Sequence, residues 1–149
     1  LYGGTGDTLL HGGAGNDTMT SGTTGVDTFK WVLGDQGTVA TPAVDTIINF
    51  KTAAVSSGGD KLDLRDLLVG ESHSGTDVGN LSNYLHFTTS TSNGVTSTVI
   101  HVSETGNLAS HETQQIVLQN VDLTHSGTTL LTDTQILQNL LGNGKLITD

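Results

Sequence analysis

Alternating apolar and polar residues along the chain predict short β-strands. Val44–Phe50 alternates in this way and predicts one strand. Two further alternating runs, Tyr84–Thr91 and Val95–Ser103, flank the dipeptide Asn93-Gly94, which favours a tight hairpin turn. Shorter apolar runs predict two more strands, at Phe29–Leu33 and Gln115–Leu118. The pattern is that of a turn-rich protein built mainly from strands.

Two segments carry a helical signal. Asp60–Leu68 begins as a strand and is predicted to turn helical before Gly70, a residue type that commonly ends helices. Near the end of the chain the apolar residues switch to helical spacing, with Thr132 or Asp133 as the N-cap. The stripe consists of Ile136, Leu137, Leu140 and Leu141. We therefore expect one short amphipathic helix over Asp133–Leu141.

A nine-residue repeat occupies the first part of the chain. Gly12–Thr20 fits the pattern G-G-x-G-x-D-x-U-x, in which U is a large apolar residue. Gly3–Gly6 opens a second copy in the same register, and Gly25–Phe29 repeats the second half. Glycine permits the tight turns that point carbonyl oxygens at an ion, and aspartate adds the hard oxygen that calcium prefers. The repeat therefore predicts calcium loops separated by short strands.

The copies differ in ways that affect ion binding. Thr8 stands at the aspartate position of the first copy, one place after Asp7, so only Asp17 lies in a complete copy. We expect the loops Gly3–Thr8 and Gly22–Asp27 to share one side of the coil. The loop Gly12–Asp17 would then lie opposite, with partners near Gly34 and Asp35. The candidate ligands for more than one calcium ion are Gly3, Thr5, Asp7, Gly12, Ala14, Asn16, Asp17, Gly22 and Asp27.

Composition narrows the function classes. The 149 residues, enough for one domain with a real core, include 15 acidic and 5 basic residues, for a formal net charge of −10. Such an excess of acid argues against nucleic acid and anionic membranes as partners and suits a cation binder. The chain has no cysteine and no apolar run long enough for a membrane span, so we expect neither disulfides nor direct membrane insertion.

The later motifs, taken with the repeats, resemble a known family. Asp45–Phe50 and Gly59–Leu64 are similar to the end of RTX proteins, which leave bacteria by type I secretion. Gln115–Leu123 and the tail Asp133–Asp149 look like the C-terminal target domain of large RTX surface adhesins. The resemblance implies an all-β fold: a calcium-binding parallel β-roll or β-solenoid at residues 1–33, continuing into a β-sandwich-like capping region at 34–149 with a short C-terminal helix.

The resemblance also implies a function. The chain would be the calcium-dependent folding module of a secreted, extracellular adhesin, with the export signal at its C-terminus. Its partners would be an ABC transporter, an adaptor and an outer-membrane channel. The parent protein would serve cell-surface or biofilm adhesion. Carried over to this chain, Asp17 and Asp27 match the repeat aspartate, while Asp45 and Asp63 match acidic positions of the capping strands.

Enzyme motifs are incomplete in this chain, which we expect not to be an enzyme. His111-Glu112 begins like the zinc motif H-E-x-x-H, but position 115 is Gln. Gly70–Gly75 departs from G-x-S-x-G because its second glycine is one place late. An alternative parent is an exported RTX enzyme, such as a serralysin-like protease or a lipase. A sugar- or ice-binding module is disfavoured because no aromatic stripe is present.

Overall fold

The computed structural model describes residues 1–149, which form two sheets, a separate short hairpin and one α-helix. The strands are β1 (Thr8–Leu10), β2 (Thr18–Thr20), β3 (Asp27–Val32), β4 (Ala43–Ile48), β5 (Lys61–Asp66), β6 (Leu85–Ser92), β7 (Val95–Val102), β8 (Gln114–Leu118), β9 (His125–Ser126), β10 (Thr129–Leu130) and β11 (Leu146–Ile147). The helix α1 covers Asp133–Gly142, and single 3-10 turns cover Val55–Ser57 and Leu81–Asn83.

The first five strands alternate between the two sheets. One sheet has the order β1-β3-β5-β11 and is parallel throughout. The other has the order β2-β4-β8-β7-β6, in which β2, β4 and β8 are parallel while β7 is antiparallel to both β8 and β6. Each parallel neighbour is thus two strands away or more in the chain, and the loops between successive strands cross from one sheet to the other.

The predicted all-β class, a parallel β-roll or β-solenoid continuing into a β-sandwich-like cap, is wrong. The structure is mixed, with parallel and antiparallel strands in one sheet and an α-helix whose apolar residues belong to the core. The repeats supply only the three-residue strands β1 and β2 and the start of β3. The hairpin β6–β7 then enters the second sheet in antiparallel orientation, because a two-residue turn can join only antiparallel strands.

The core is a single cluster of 23 buried apolar residues that extends from Leu10 to Leu146. Strand residues enter it by alternation: Phe29 and Trp31 of β3 point inward and are no more than 1% exposed. Helix α1 adds Ile136, Leu137 and Leu140 from one face. Apolar side chains of both sheets and of the helix therefore bury one another in one continuous interior.

Local signals predict the hairpin and the helix correctly. Asn93 and Gly94 both have positive φ, as the predicted tight turn requires. Thr132 is the N-cap of α1: its hydroxyl accepts the Gln135 N–H, and the Gln135 side chain accepts the Thr132 N–H.

The helix predicted after Asp60 is wrong. Strand β5 runs to Asp66, and one turn follows in which Leu67 and Leu68 both donate to the Leu64 carbonyl. The chain does not continue as a helix, because Leu67 and Leu68 are already buried by that turn.

Candidate metal centre

Two pairs of aspartates lie side by side in, or immediately before, neighbouring parallel strands. The register of β2 and β4 pairs Thr18 with Thr46, which places Asp17 beside Asp45. The register of β3 and β5 pairs Thr28 with Lys61, which places Asp27 beside Asp60. We call these the Asp17–Asp45 rung and the Asp27–Asp60 rung. Adjacent strands are roughly 4.8 Å apart, so each rung brings two carboxylates together on one side of the molecule.

In the Asp17–Asp45 rung, Asp45 is 1% exposed and surrounded by donors. Its Oδ1 accepts the Asp17 backbone N–H at 2.8 Å, and its Oδ2 accepts Trp31 Nε1 at 2.7 Å and Gln114 Nε2 at 3.0 Å. None of these donors is a cation, and neither carboxylate of the rung forms an ion pair with any Lys, Arg or His. The rung thus holds two acidic side chains without a compensating positive charge.

Two polar oxygens next to Asp45 are buried without a hydrogen-bond partner. One is Asp17 Oδ2 and the other is Gln114 Oε1. A buried acceptor left without a partner costs about 1–3 kcal/mol, and more when it is charged. Gly12 allows the Asp17 carboxylate to pack against its backbone, because a Cβ at position 12 would lie 2.7 Å from Asp17 Oδ2. The nonapeptide glycine and aspartate therefore meet in space, five residues apart in the chain.

The pKa of Asp45 reflects the burial of two neighbouring acidic groups in this rung. Burial raises the pKa of the Asp45 carboxyl, and the neighbouring Asp17 carboxylate raises it further. The hydrogen bonds from Trp31, Asp17 and Gln114 oppose this rise without cancelling it. A cation placed between the carboxylates would oppose this rise, because it would favour the charged form of Asp45 and offset the repulsion from Asp17.

The Asp27–Asp60 rung has the same layout but a cation of its own. Asp27 and Asp60 are both fully buried, and the Asp27 N–H donates to Asp60 Oδ1 at 3.0 Å. Lys51 Nζ lies 3.2 Å from Asp27 Oδ2 and 3.0 Å from Asp60 Oδ1. Burial alone would raise the pKa of Asp27, but hydrogen bonds from the Gly22 N–H, Ser21 and Lys51 lower it below its usual value. Asp27 Oδ1 remains buried without a partner.

The loops containing the predicted ligands pair as the repeat register suggests. Gly3 donates to the Thr20 carbonyl, and Thr23 donates to the Gly4 carbonyl, so the first and third loops share one side. On the opposite side, Asn16 Oδ1 accepts the Val44 N–H at 2.8 Å. The hydrogen bonds of the second loop itself go to Val44, Asp45 and Thr46, and not to Gly34 or Asp35 as predicted. Only His11, just before the loop, contacts Asp35, with 2.7 Å between Nε2 and Oδ2.

The remaining predicted ligands are divided between the Asp27–Asp60 rung and the exposed loops. Gly3 and Gly22 are buried against Asp27: a Cβ on Gly3 would meet Asp27 Oδ2 at 2.8 Å, and the Gly22 N–H donates to that oxygen at 2.7 Å. Thr5 and Ala14 are exposed loop residues with backbone groups on the surface. The exposed Asp7 accepts the Val26 N–H at 2.8 Å and thereby ties the first loop to the third.

Asp63, a predicted calcium ligand, lies apart from both rungs. The acidic residue from this part of the chain that joins a rung is Asp60. Asp63 is paired with Arg65 of its own strand, at 2.9 Å between Oδ2 and Nη2. Asp60, which the sequence analysis did not select, immediately precedes β5 as Asp17 immediately precedes β2. The dipeptide Gly59-Asp60 before an apolar strand was the signal that could have identified it.

The Asp17–Asp45 rung fits calcium chemically, whereas the Asp27–Asp60 rung already contains an ammonium group. Calcium takes six to eight oxygen ligands, from carboxylates, backbone carbonyls and side-chain amides. The first rung offers an unpartnered carboxylate oxygen and an unpartnered amide oxygen. No three His, Asp or Glu side chains converge on one point, so an ion there would also draw on carbonyl oxygens of the glycine loops.

All six histidines contact a carboxylate. His86 and His101 face each other across the hairpin, with ring centroids 5.6 Å apart. His86 pairs with Asp133 and His101 with Glu112. His111, the residue of the incomplete zinc motif, pairs with the buried Glu104. Each of these pairs occupies one ring nitrogen of its histidine.

Comparison of the chain with protein-family models, with curated proteins and with solved structures finds no match in any of the three. Among the helices of the structure, none has the length and apolar character needed to cross a bilayer.

Proposed function

We propose that this chain is the calcium-dependent folding and C-terminal secretion-signal module of a large exported RTX adhesin. The observation that carries the proposal is the Asp17–Asp45 rung. Its Asp17 lies in the one complete nonapeptide copy, and the rung combines a buried, unpartnered carboxylate oxygen of Asp17 with a raised pKa at Asp45. Calcium bound there would draw on Asp17, Asp45 and loop carbonyls, and would compensate two acidic groups at once.

The chemistry suits a protein that is exported unfolded. A chain of net charge −10 with adjacent aspartates resists compaction until a cation is present. Extracellular calcium modules bind with Kd on the order of 10⁻⁴–10⁻³ M, so the ion would bind outside the cell and not in the cytosol. At about 100 times Kd, calcium adds roughly 2.7 kcal/mol per site to the free energy of unfolding. This is a large share of the roughly 5–15 kcal/mol typical of a domain.

Calorimetry tests the proposal directly. Titration with calcium should give a binding isotherm, and magnesium should not reproduce it, because magnesium demands a tight octahedral shell. Asp17→Ala should abolish most of the calcium heat. Asp7→Ala, which removes an exposed aspartate of the neighbouring loop, is the matched control and should bind nearly as well as the wild type. Equal heats with both ions, or no heat with calcium, would contradict the proposal.

A further inference from the structure

The oxygen atoms around Lys51 Nζ at the Asp27–Asp60 rung are of the kinds that bind a metal ion. Its Nζ contacts Ser21 Oγ at 2.7 Å, Asp60 Oδ1 at 3.0 Å, the Gly22 carbonyl at 3.1 Å and Asp27 Oδ2 at 3.2 Å. The shell is therefore made of one hydroxyl, one carbonyl and two carboxylates. These are oxygen types that calcium also uses. The ammonium group accordingly stands where a cation bridging the two aspartates would stand.

The backbone holds Lys51 in this position. Asn49, in a left-handed conformation with φ of 63°, turns the chain after β4. The Lys51 backbone N–H then donates to Asp60 Oδ2 at 2.8 Å, so main chain and side chain of one residue bind the same carboxylate. The Lys51 side chain keeps about a quarter of its surface exposed, while both carboxylates are sealed. Lys51 thus closes the rung from the solvent side.

A second lysine secures the same loop. Lys145, which is 3% exposed, donates to the carbonyls of Lys51, Ala53 and Asp60, each at 2.8 Å. Its Nζ also lies 4.7 Å from the centre of the Phe50 ring. Lys51 thus pairs with both buried carboxylates of the rung, while Lys145 binds the carbonyls of the loop that connects Lys51 to Asp60. Charges buried without partners would be strongly unfavourable, and here the protein supplies the partners itself.

The Asp17–Asp45 rung can be compared directly with the Asp27–Asp60 rung of the same molecule. In both rungs a glycine lies five residues before the first aspartate, against its carboxylate: Gly12 before Asp17 and Gly22 before Asp27. One rung contains an ammonium group, and the other contains none. We infer that Lys51 is the resident cation of the Asp27–Asp60 rung and excludes metal from it. Cation binding is thereby restricted to the Asp17–Asp45 side, an assignment that rests on the proposed calcium binding.

Lysine NMR tests the inference on the intact wild-type protein. Protein labelled with ¹⁵N-lysine should show a slowly exchanging Nζ signal for Lys51, assigned by its loss in Lys51→Arg. The signal should persist when calcium is added to saturation. Its disappearance with calcium would mean that the ion displaces the ammonium group, and the inference would be overturned.

Calorimetry of Lys51→Ala provides the second test. Removing the ammonium group should open the rung to a metal, so Lys51→Ala should bind one calcium ion more than the wild type. Lys30→Ala removes the same charge from a partly exposed pair with Asp66 and should leave the stoichiometry unchanged. An unchanged stoichiometry in folded Lys51→Ala would overturn the inference. If Lys51→Ala does not fold, the NMR result decides.

The two hypotheses fail in different ways. If the wild type binds no calcium but Lys51→Ala does, the proposed function fails and the role of Lys51 stands. If the wild type binds calcium and loses the Lys51 signal on binding, the proposed function stands and the role of Lys51 fails.

Discussion

Trp31 Nε1 donates a 2.7 Å hydrogen bond to Asp45 Oδ2, which connects the only tryptophan of the chain to the carboxylate beside Asp17. The indole is 1% exposed and packs within the core, whereas its N–H satisfies one of the acid oxygens. Its fluorescence is therefore a built-in reporter of the charge on Asp45 and of the folded state around it.

The first prediction concerns pH in the absence of calcium. Because the pKa of Asp45 is raised in the native state, the native protein holds that proton more tightly than the unfolded chain. Between the ordinary value of 3.8 and the raised native value, the free energy of unfolding from this group falls as pH rises. Asp45→Asn should lack this contribution, so the difference in stability between wild type and variant should change across that window.

Urea titrations in chelator, followed by Trp31 fluorescence at several pH values, measure this difference. Asp7→Asn, at an exposed position, is the control and should follow the wild type. Parallel stability curves for wild type and Asp45→Asn would show that the proton on Asp45 is not linked to folding. Calcium should flatten the wild-type dependence if the ion binds this rung.

The second prediction concerns alkaline pH and Lys145. Burial lowers the pKa of Lys145 from 10.5 to about 8. Above that pH the native amine is neutral, while the unfolded lysine still carries its proton up to its ordinary pKa. The free energy of unfolding from this group should therefore rise with pH between about 8 and about 10.5, by at most roughly 3 kcal/mol. Lys145→Met should lose this rise. Denaturant unfolding at pH values across the window measures it, and identical slopes in the two proteins would refute it.

The third prediction concerns folding without calcium. In chelator, we expect lost β signal in circular dichroism, and recovery on adding calcium, because the loops around Asp17 then lack their cation. Residues 1–70 should lose protection against hydrogen exchange. The hairpin β6–β7 should retain more protection, because Leu85, Phe87 and Ile100 bury apolar surface that needs no ion. Uniform protection with and without calcium would count against ion-driven folding.

The fourth prediction separates export from stability in α1. Leu140 is 3% exposed, so Leu140→Ala should lower the free energy of unfolding by about 2–5 kcal/mol. Leu141 is only partly buried, so Leu141→Ala should lower it by less. An export signal is read before the chain folds, so Leu140→Ala, with its side chain truncated but the segment intact, should still be exported.

The export assay uses the full chain fused to a passive, slow-folding cargo in cells that carry the transporter. Deletion of residues 133–149 should abolish export, while Leu140→Ala should retain most of it. Undiminished export of the deleted form would mean that the helix serves only the fold and that the signal lies elsewhere.

Sequence reasoning succeeded where a structure is dictated by neighbouring residues. Asn93-Gly94 determines its hairpin because both residues tolerate positive φ, and Thr132 with Gln135 determines the start of α1 through a reciprocal cap. Sequence reasoning failed after Asp60, where a helical pattern in Leu67 and Leu68 was satisfied by a single buried turn.

The sequence alone determined the strands β1 to β8, the β6–β7 hairpin, the helix and the acidic glycine loops, because each depends on contacts within a few residues. It did not predict β9, β10 or β11. Tertiary structure alone decided the mixed sheet and the difference between the two rungs. Lys51 reaches Asp27 across 24 residues, and Lys145 reaches the carbonyl of Asp60 across 85. No local preference encodes such pairs. They follow from the strand register, which brings distant acidic residues together. The energetic cost of burying each of these charges then depends on which cation lies beside it.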